Sequence, residues 1–210
     1  MDVSGVMQQL SIWALPVLVA VILHELAHGY SAYLLGDPTA ARMGRLTLNP
    51  LAHIDLFGTL LLPFLLIMTG APFLFGYAKP VPVDFTNLRN PRRDMVRVAA
   101  AGPIMNLILA GLSAFALKFL LSLQLITDGL VARNLLNSVL INVVLAVFNL
   151  FPLPPLDGGR VATGLLPRRP ALVLARLEPY GMLIVLLLLM TGILGDMLQP
   201  LTLFVLNTLL

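Results

Sequence analysis

The sequence has no cysteine and little charge. Without cysteine it can form no disulfide, offers a metal no thiolate and has no cysteine nucleophile. Any metal must be held by histidine, aspartate or glutamate. Charged residues make up 11% of the 210 residues, against roughly 25% in soluble domains. No polar stretch is long enough to bury a core of its own, which excludes a separate soluble domain. A basic leader is missing too. Met1-Asp-Val-Ser-Gly carries no positive region, so no cleavable signal peptide is expected. There is no internal repeat, low-complexity tract or lipidation motif. The formal net charge of +3 is small, and no nucleic-acid partner is expected.

What is present is apolar. Hydrophobic residues make up 59% of the chain, with a mean hydropathy of +0.94. This composition and its long apolar runs predict a multi-pass protein of the cell membrane, in contact with the lipid bilayer. The expected fold class is an all-α polytopic membrane protein with about five to six transmembrane or re-entrant helical segments. A short β-strand and extended elements are expected between the first segments.

The first segment, residues 9–35, ends at Gly36-Asp37-Pro38, the usual order of helix stop signals. Arg45-Leu-Thr-Leu48 alternates and predicts a short strand. A second segment, 56–75, is barely long enough to span and is broken by Pro63, Gly70 and Pro72. Gly76-Tyr-Ala-Lys-Pro-Val-Pro-Val-Asp84 is expected to be extended, because Pro80 and Pro82 bar a helix. Further segments are expected at 95–123, 130–151 and 177–194, with Pro200 separating a last apolar stretch, 201–210. Ala99-Ala-Ala-Gly-Pro in the third segment would let another helix approach closely.

Arginines set the orientation. Lys79, Arg89, Arg92, Arg93 and Arg97 crowd one loop, and Arg160, Arg168, Arg169 and Arg176 another. The positive-inside rule makes both cytoplasmic. If the first segment runs outside to inside, which puts His24 and His28 at a depth close to Asp157, the second segment must enter and leave on one side, as a re-entrant hairpin covered by protein. If the second segment crosses fully, the first runs the other way and the two halves of the site differ in depth.

Inside the first apolar run stands His24-Glu25-Leu-Ala-His28. On a helix, residues i and i+4 share a face, so His24 and His28 can grip one metal ion. Glu25 can reach a water on that metal. The plain alternative is two buried histidines in a helix bundle. Three ionisable groups within five residues of a membrane segment argue against it, since such groups are costly there and usually functional. A catalytic zinc needs a third protein ligand. His53 and the acids are the candidates, Asp157 foremost. Asp157-Gly158 reads equally well as a helix-ending turn. His53, Asn106, Asn142 and Asn149 are candidate oxyanion donors. His53 reads as well as an interfacial cap, and the asparagines as interhelical hydrogen-bond glue.

Three motifs in order add a resemblance: the HELAH helix, Ala-Gly-Pro-x-x-Asn106, and Asn149-x-x-Pro152-x-x-x-x-Asp157-Gly158. Over residues 12–160 the chain resembles the site-2 proteases, the intramembrane zinc metalloproteases of peptidase family M50, in a short form without a PDZ domain. The resemblance implies one zinc ion held by His24, His28 and Asp157. It implies Glu25 as general acid/base and supports Asn149 as a second catalytic residue. It implies a single membrane-embedded peptidase domain over 1–210, with a catalytic core at about 9–160 and added membrane helices at about 177–210. Transmembrane proteins are the implied substrates, and the active site lies nearer the cytoplasmic face. A substrate helix must unwind to be cut, and an extended strand offers it main-chain partners. Residues 42–48 and 76–84 are candidates for that clamp; otherwise both are ordinary connecting loops. Two other functions compete, a metal transporter and a catalytically silent membrane adaptor. The stretch between the motifs is unusually long, which bears on how substrates are selected.

Overall fold

The computed structural model describes residues 3–70, 75–126 and 129–210. Three helices carry the architecture: α1 (Val3–Leu34), α4 (Pro91–Ser122) and α5 (Leu130–Asn149). Between the first two lie α2 (Thr39–Arg42) and α3 (Leu62–Met68). After them come α6 (Asp157–Leu165), α7 (Arg168–Ala175), α8 (Glu178–Met190) and α9 (Ile193–Leu209).

Polar contacts fix the relative directions of the three long helices. Near the start of α1, the Ile12 carbonyl accepts from Asn137, near the start of α5. Near its end, His28 meets Val98 and Leu35 meets Arg89, both by the start of α4. α1 and α5 therefore run the same way and α4 runs back between them. The end of α1, the start of α4 and the end of α5 lie together, at the end that carries the arginines. Small residues make the contact close. Ala20, Ala110 and Ala146 are fully buried where the helices meet, and Ala110, Ala114, Val139, Val143 and Val147 form one core cluster. The opposite faces stay apolar: Leu15, Leu18, Leu112, Phe115 and Phe119 are exposed.

Among the described residues, three helices are long and apolar enough to cross a membrane: α1 from Ser11, α4 and α5. A fourth is reached if α7 and α8, bent by 68° at a short break, count as one span. The expected five to six segments are thus too many. The second segment accounts for part of the difference. Residues 56–61 form a π-helical turn continued by α3, and the run Leu56–Met68 is a short apolar helix. The expectation at Pro72 falls outside the described residues. The ends of this segment are tied together: Tyr77 N–H donates to the Gly58 carbonyl and Lys79 N–H to that of His53. The chain leaves and returns at one place.

Two further expectations fail. Arg45-Leu-Thr-Leu48 forms no strand: Arg45 N–H turns back to the Ala40 carbonyl, and no strand occurs among the described residues. Alternation was the only signal there, and a strand also needs a partner. Pro200 does not separate the last stretch, because α9 runs through it. The break falls earlier, at Gly192, whose φ of 78° is left-handed. Pro200 lies inside α9 and gives no N–H to the carbonyl one turn before it, yet the helix continues through the position.

Asp37, expected only as a helix stop, is a hub. It is fully buried. Its carboxylate accepts from the Thr39 N–H and hydroxyl, from Asn87 Nδ2 and from Asp84 N–H. It thereby pins the extended segment 76–84 to the end of α1. Burial pushes its pKa up, but the bonds from Thr39, Asn87 and Asp84 outweigh that and hold it below the ordinary carboxylate value. A folded pKa below the unfolded one stabilises the fold above the unfolded value, and the benefit is lost as pH falls through the folded one. Asp37→Ala should therefore cost on the order of 3 kcal/mol near neutrality. In melting curves the gap from wild type should close as the medium is taken below about pH 4. A gap independent of pH would refute this role.

Candidate active site

The HELAH turn faces α4. His24 and His28 are buried, as is Asp157 at the first position of α6. His24 Nε2 and His28 Nε2 are 3.0 Å apart, and Asp157 Oδ2 is 3.2 Å from each. Among the described residues these three form the only cluster of histidines and acids close enough to share a metal ion.

Hydrogen-bond polarity shows what the cluster needs. His28 Nδ1 lies 2.7 Å from the Val98 carbonyl, which can only accept, so Nδ1 carries the proton. His24 Nδ1 lies 2.5 Å from Asn106 Oδ1. Asn106 Nδ2 donates to the Ala20 carbonyl and to Asn142 Oδ1, which fixes the amide and makes Oδ1 the acceptor. His24 Nδ1 is therefore the donor. In the neutral rings both Nε2 atoms are left as lone pairs. Asp157 Oδ2 is buried and has no hydrogen-bond donor. Three acceptors at 3.0–3.2 Å repel one another unless a cation sits among them. Ligand atoms around a tetrahedral zinc with bonds of about 2.0–2.1 Å lie about 3.3 Å apart. The donor set of two imidazoles and one carboxylate suits a catalytic zinc, so the residues present fit that ion.

Glycines make the cradle. A Cβ on Gly102 would press into His28 Nε2 and come within 2.6 Å of the Cε1 atoms of both histidines. Gly158 and Gly159 follow Asp157 because the turn from α5 folds back over the start of α6. A Cβ at either would collide with the backbone of residues 150–154. Asp157 thus opens a helix instead of closing one, and an acidic side chain is favoured at that end by the helix dipole.

Glu25 is half-buried, and its Oε2 accepts from Val81 N–H at 2.7 Å. Pro80 and Pro82 carry no N–H, so Val81 is the one backbone donor of the Pro-Val-Pro triplet, and it is aimed at Glu25. Arg45 holds this segment from the other side by donating to the carbonyls of Lys79 and Pro80. The remaining candidates part company. His53 is buried with Nε2 against the Thr47 carbonyl, and it stands outside the three-residue cluster. Asn106 bonds to His24, to Asn142 and to the Ala20 carbonyl, which leaves no amide hydrogen of Asn106 free for an oxyanion. Asn149 closes α5, with one amide hydrogen donated to the Leu145 carbonyl and the second available.

Comparison with known proteins shows the family. A model of peptidase family M50 matches residues 12–134 and 122–192. The chain belongs to peptidase family M50. It is 39% identical over 187 residues to the Bacillus subtilis (strain 168) protein named "Putative zinc metalloprotease YwhC", covering 87% of this chain and 82% of that one. It is 32% identical over 177 residues to "Putative zinc metalloprotease Rip2" of Mycolicibacterium smegmatis, covering 83% of this chain and 64% of the relative. Against Rip2 of Mycobacterium tuberculosis (strain H37Rv) it is 33% identical over 144 residues, covering 67% of this chain and 52% of the relative. It thus spans less than two thirds of both Rip2 proteins. No solved structure matches the chain. In this M50 member the HELAH motif and the Asp-Gly motif come together in space. Ala-Gly-Pro-x-x-Asn106 marks Asn106 but not its bond to His24, and the link from Val81 to Glu25 carries no motif or spacing signal at all.

Proposed function

We propose that this M50 protein is a zinc-dependent intramembrane endopeptidase that cuts membrane proteins within or near their transmembrane segments. The observation that carries the reading is the triangle of His24 Nε2, His28 Nε2 and Asp157 Oδ2, three convergent acceptors with no donor among them. His24, His28 and Asp157 would hold the zinc ion. When bound there, zinc supplies Lewis-acid activation of water and of the scissile carbonyl. Glu25, one residue from the first ligand, takes a proton from the attacking water and returns it to the leaving amine. Val81 N–H orients the Glu25 carboxylate through Oε2 and leaves Oε1 for that proton. The free amide hydrogen of Asn149 is the donor for the oxyanion.

The whole chain works as one membrane-embedded peptidase unit, with α1, α4 and α5 as its spans. The shared end of these helices carries Arg89, Arg92, Arg93, Arg97 and Arg160, which supports a cytoplasmic placement for it. Gly102 lies five residues past Arg97 in α4, roughly 7.5 Å deeper by helical rise. The bonds from Tyr77 to Gly58 and from Lys79 to His53 tie the two ends of the second segment together on that side, which supports a re-entrant path for it. A metal carrier would need further sites along a path, whereas the described residues hold one cluster.

Residues 46–48 are the better half of the clamp. Their backbone N–H groups bond to none of the described residues, and Leu48 is exposed. In segment 76–84 the N–H groups of Tyr77, Lys79, Val81 and Asp84 are already engaged. One experiment tests the reading: purified protein in vesicles with a single-span substrate. Cleavage should fall on chelation and recover with zinc, and the new termini should map to the apolar span or its edge. Leu48→Pro should slow cleavage about tenfold, through a lost main-chain bond of roughly 1.4 kcal/mol, with zinc retained. Cleavage insensitive to chelation would refute the protease, and unchanged cleavage by Leu48→Pro would refute the clamp.

A further inference from the structure

We propose that Asn106 and Asn142 are positioning residues that fix the tautomer of His24 and so set the affinity of the metal site. The proposal rests on the metal-site reading above and adds what makes His24 a ligand. A neutral imidazole presents its lone pair on one nitrogen only. His24 must carry its proton on Nδ1 for Nε2 to face His28 and Asp157.

The relay begins in α5. The Ser138 carbonyl can only accept, and Asn142 Nδ2 donates to it at 2.8 Å. That fixes the Asn142 amide and leaves its Oδ1 as an acceptor. Asn106 Nδ2 donates to this oxygen at 2.8 Å and to the Ala20 carbonyl at 3.2 Å. Both amide hydrogens of Asn106 are then committed, and its Oδ1 can only accept from His24 Nδ1. The order of donors and acceptors is therefore set two side chains away from the ring. Asn106 and Asn142 are almost wholly buried, so no water competes for these bonds. Ala20 is one turn before His24, so Asn106 also braces the backbone that carries the ring. Interhelical glue would account for the bonds between Asn106 and Asn142. It would not account for an acceptor held on the ring nitrogen that must stay protonated. Hydrogen-bond partners of this kind commonly change metal affinity when removed.

The test uses the full chain in detergent or nanodiscs, with variants Asn106→Asp, Asn106→Leu and Asn142→Leu. Folding is checked by helical circular dichroism and gel filtration. Zinc affinity is read by competition with a chromophoric chelator. The tautomer of His24 is read without zinc, from side-chain nitrogen shifts of 15N-histidine protein. The chain has three histidines, so assignment is simple. Asn106→Asp keeps an acceptor on Nδ1 but loses the amide donors to Ala20 and Asn142, so it should keep the tautomer and bind zinc more tightly than Asn106→Leu. Asn106→Leu is similar in size but offers no acceptor. It should populate both tautomers and bind on the order of 10–100-fold more weakly. Asn142→Leu leaves the Ala20 carbonyl as the sole partner of Asn106 Nδ2 and should fall between the two. Equal affinity losses in Asn106→Asp and Asn106→Leu, or an unchanged tautomer in Asn106→Leu, would overturn the proposal. If Asn106→Leu does not fold, Asn142→Leu decides by the same two measurements. Wild type that binds zinc and shows the expected tautomer, yet cuts no substrate, would refute the peptidase and leave the relay standing.

Discussion

Gly102→Ala should abolish metal binding and cleavage together, although the change adds one methyl group to a helix. The added Cβ would come within 2.6 Å of Cε1 of both His24 and His28, and closer still to His28 Nε2. Real Cβ atoms do not approach other heavy atoms that closely. The rings cannot swing aside freely. His24 is held by Asn106 and His28 by the Val98 carbonyl, on the same helix as Gly102. Relief must come from moving α4 off α1 or from turning a ring, and either breaks the triangle with Asp157. A misplacement of about 1 Å is enough to cost on the order of 100-fold in rate. Zinc content should drop from near one per chain to near zero, and cleavage by at least about 100-fold. Gly111→Ala is the control. It lies in the same helix, and a Cβ there meets nothing within 4 Å. It should leave zinc and cleavage unchanged. Normal zinc content in Gly102→Ala would show that the two helices are not packed as described.

The motif that needs Gly102 reads from sequence as a place for close packing and as part of a family resemblance, with no sign of what packs against it. What packs there is the metal site itself. This difference runs through the whole chain. The HELAH helix was legible because helical periodicity places i and i+4 on one face whatever the tertiary fold. The three long helices were legible because length and hydropathy decide a span. Asp157 was ambiguous from its local sequence. Its role depends on how the chain turns after Asn149, and backbone contacts made by Gly158 and Gly159 fix that turn. The strand expected at Arg45–Leu48 failed because alternation says nothing about a partner. Pro200 failed as a break because the stop signal was Gly192, eight residues earlier. Asp37 and Val81 were invisible as functional parts, since each acts through a bond to a residue more than 45 positions away.

Glu25→Gln should leave zinc in place and reduce cleavage by on the order of 10²–10⁴-fold, the usual contribution of a general acid/base. Glutamine matches glutamate in size, and its carbonyl oxygen can still accept from Val81 N–H, now held 2.7 Å from Glu25 Oε2. The Pro80-Val81-Pro82 segment should therefore stay where it is. His24, His28 and Asp157 are untouched, so the ion should remain. What is lost is basicity: an amide cannot take a proton from water near neutral pH. Glu25→Ala is the informative comparison. It removes both the base and the acceptor, so Val81 N–H is left without its partner. Hydrogen exchange at Val81 should stay slow in Glu25→Gln and quicken in Glu25→Ala. Both variants should be inactive with zinc bound, which separates the chemical role of Glu25 from its hold on the segment above it. Cleavage near the wild-type rate in Glu25→Gln would remove Glu25 from the chemistry. Loss of zinc in that variant would instead make Glu25 part of the metal site.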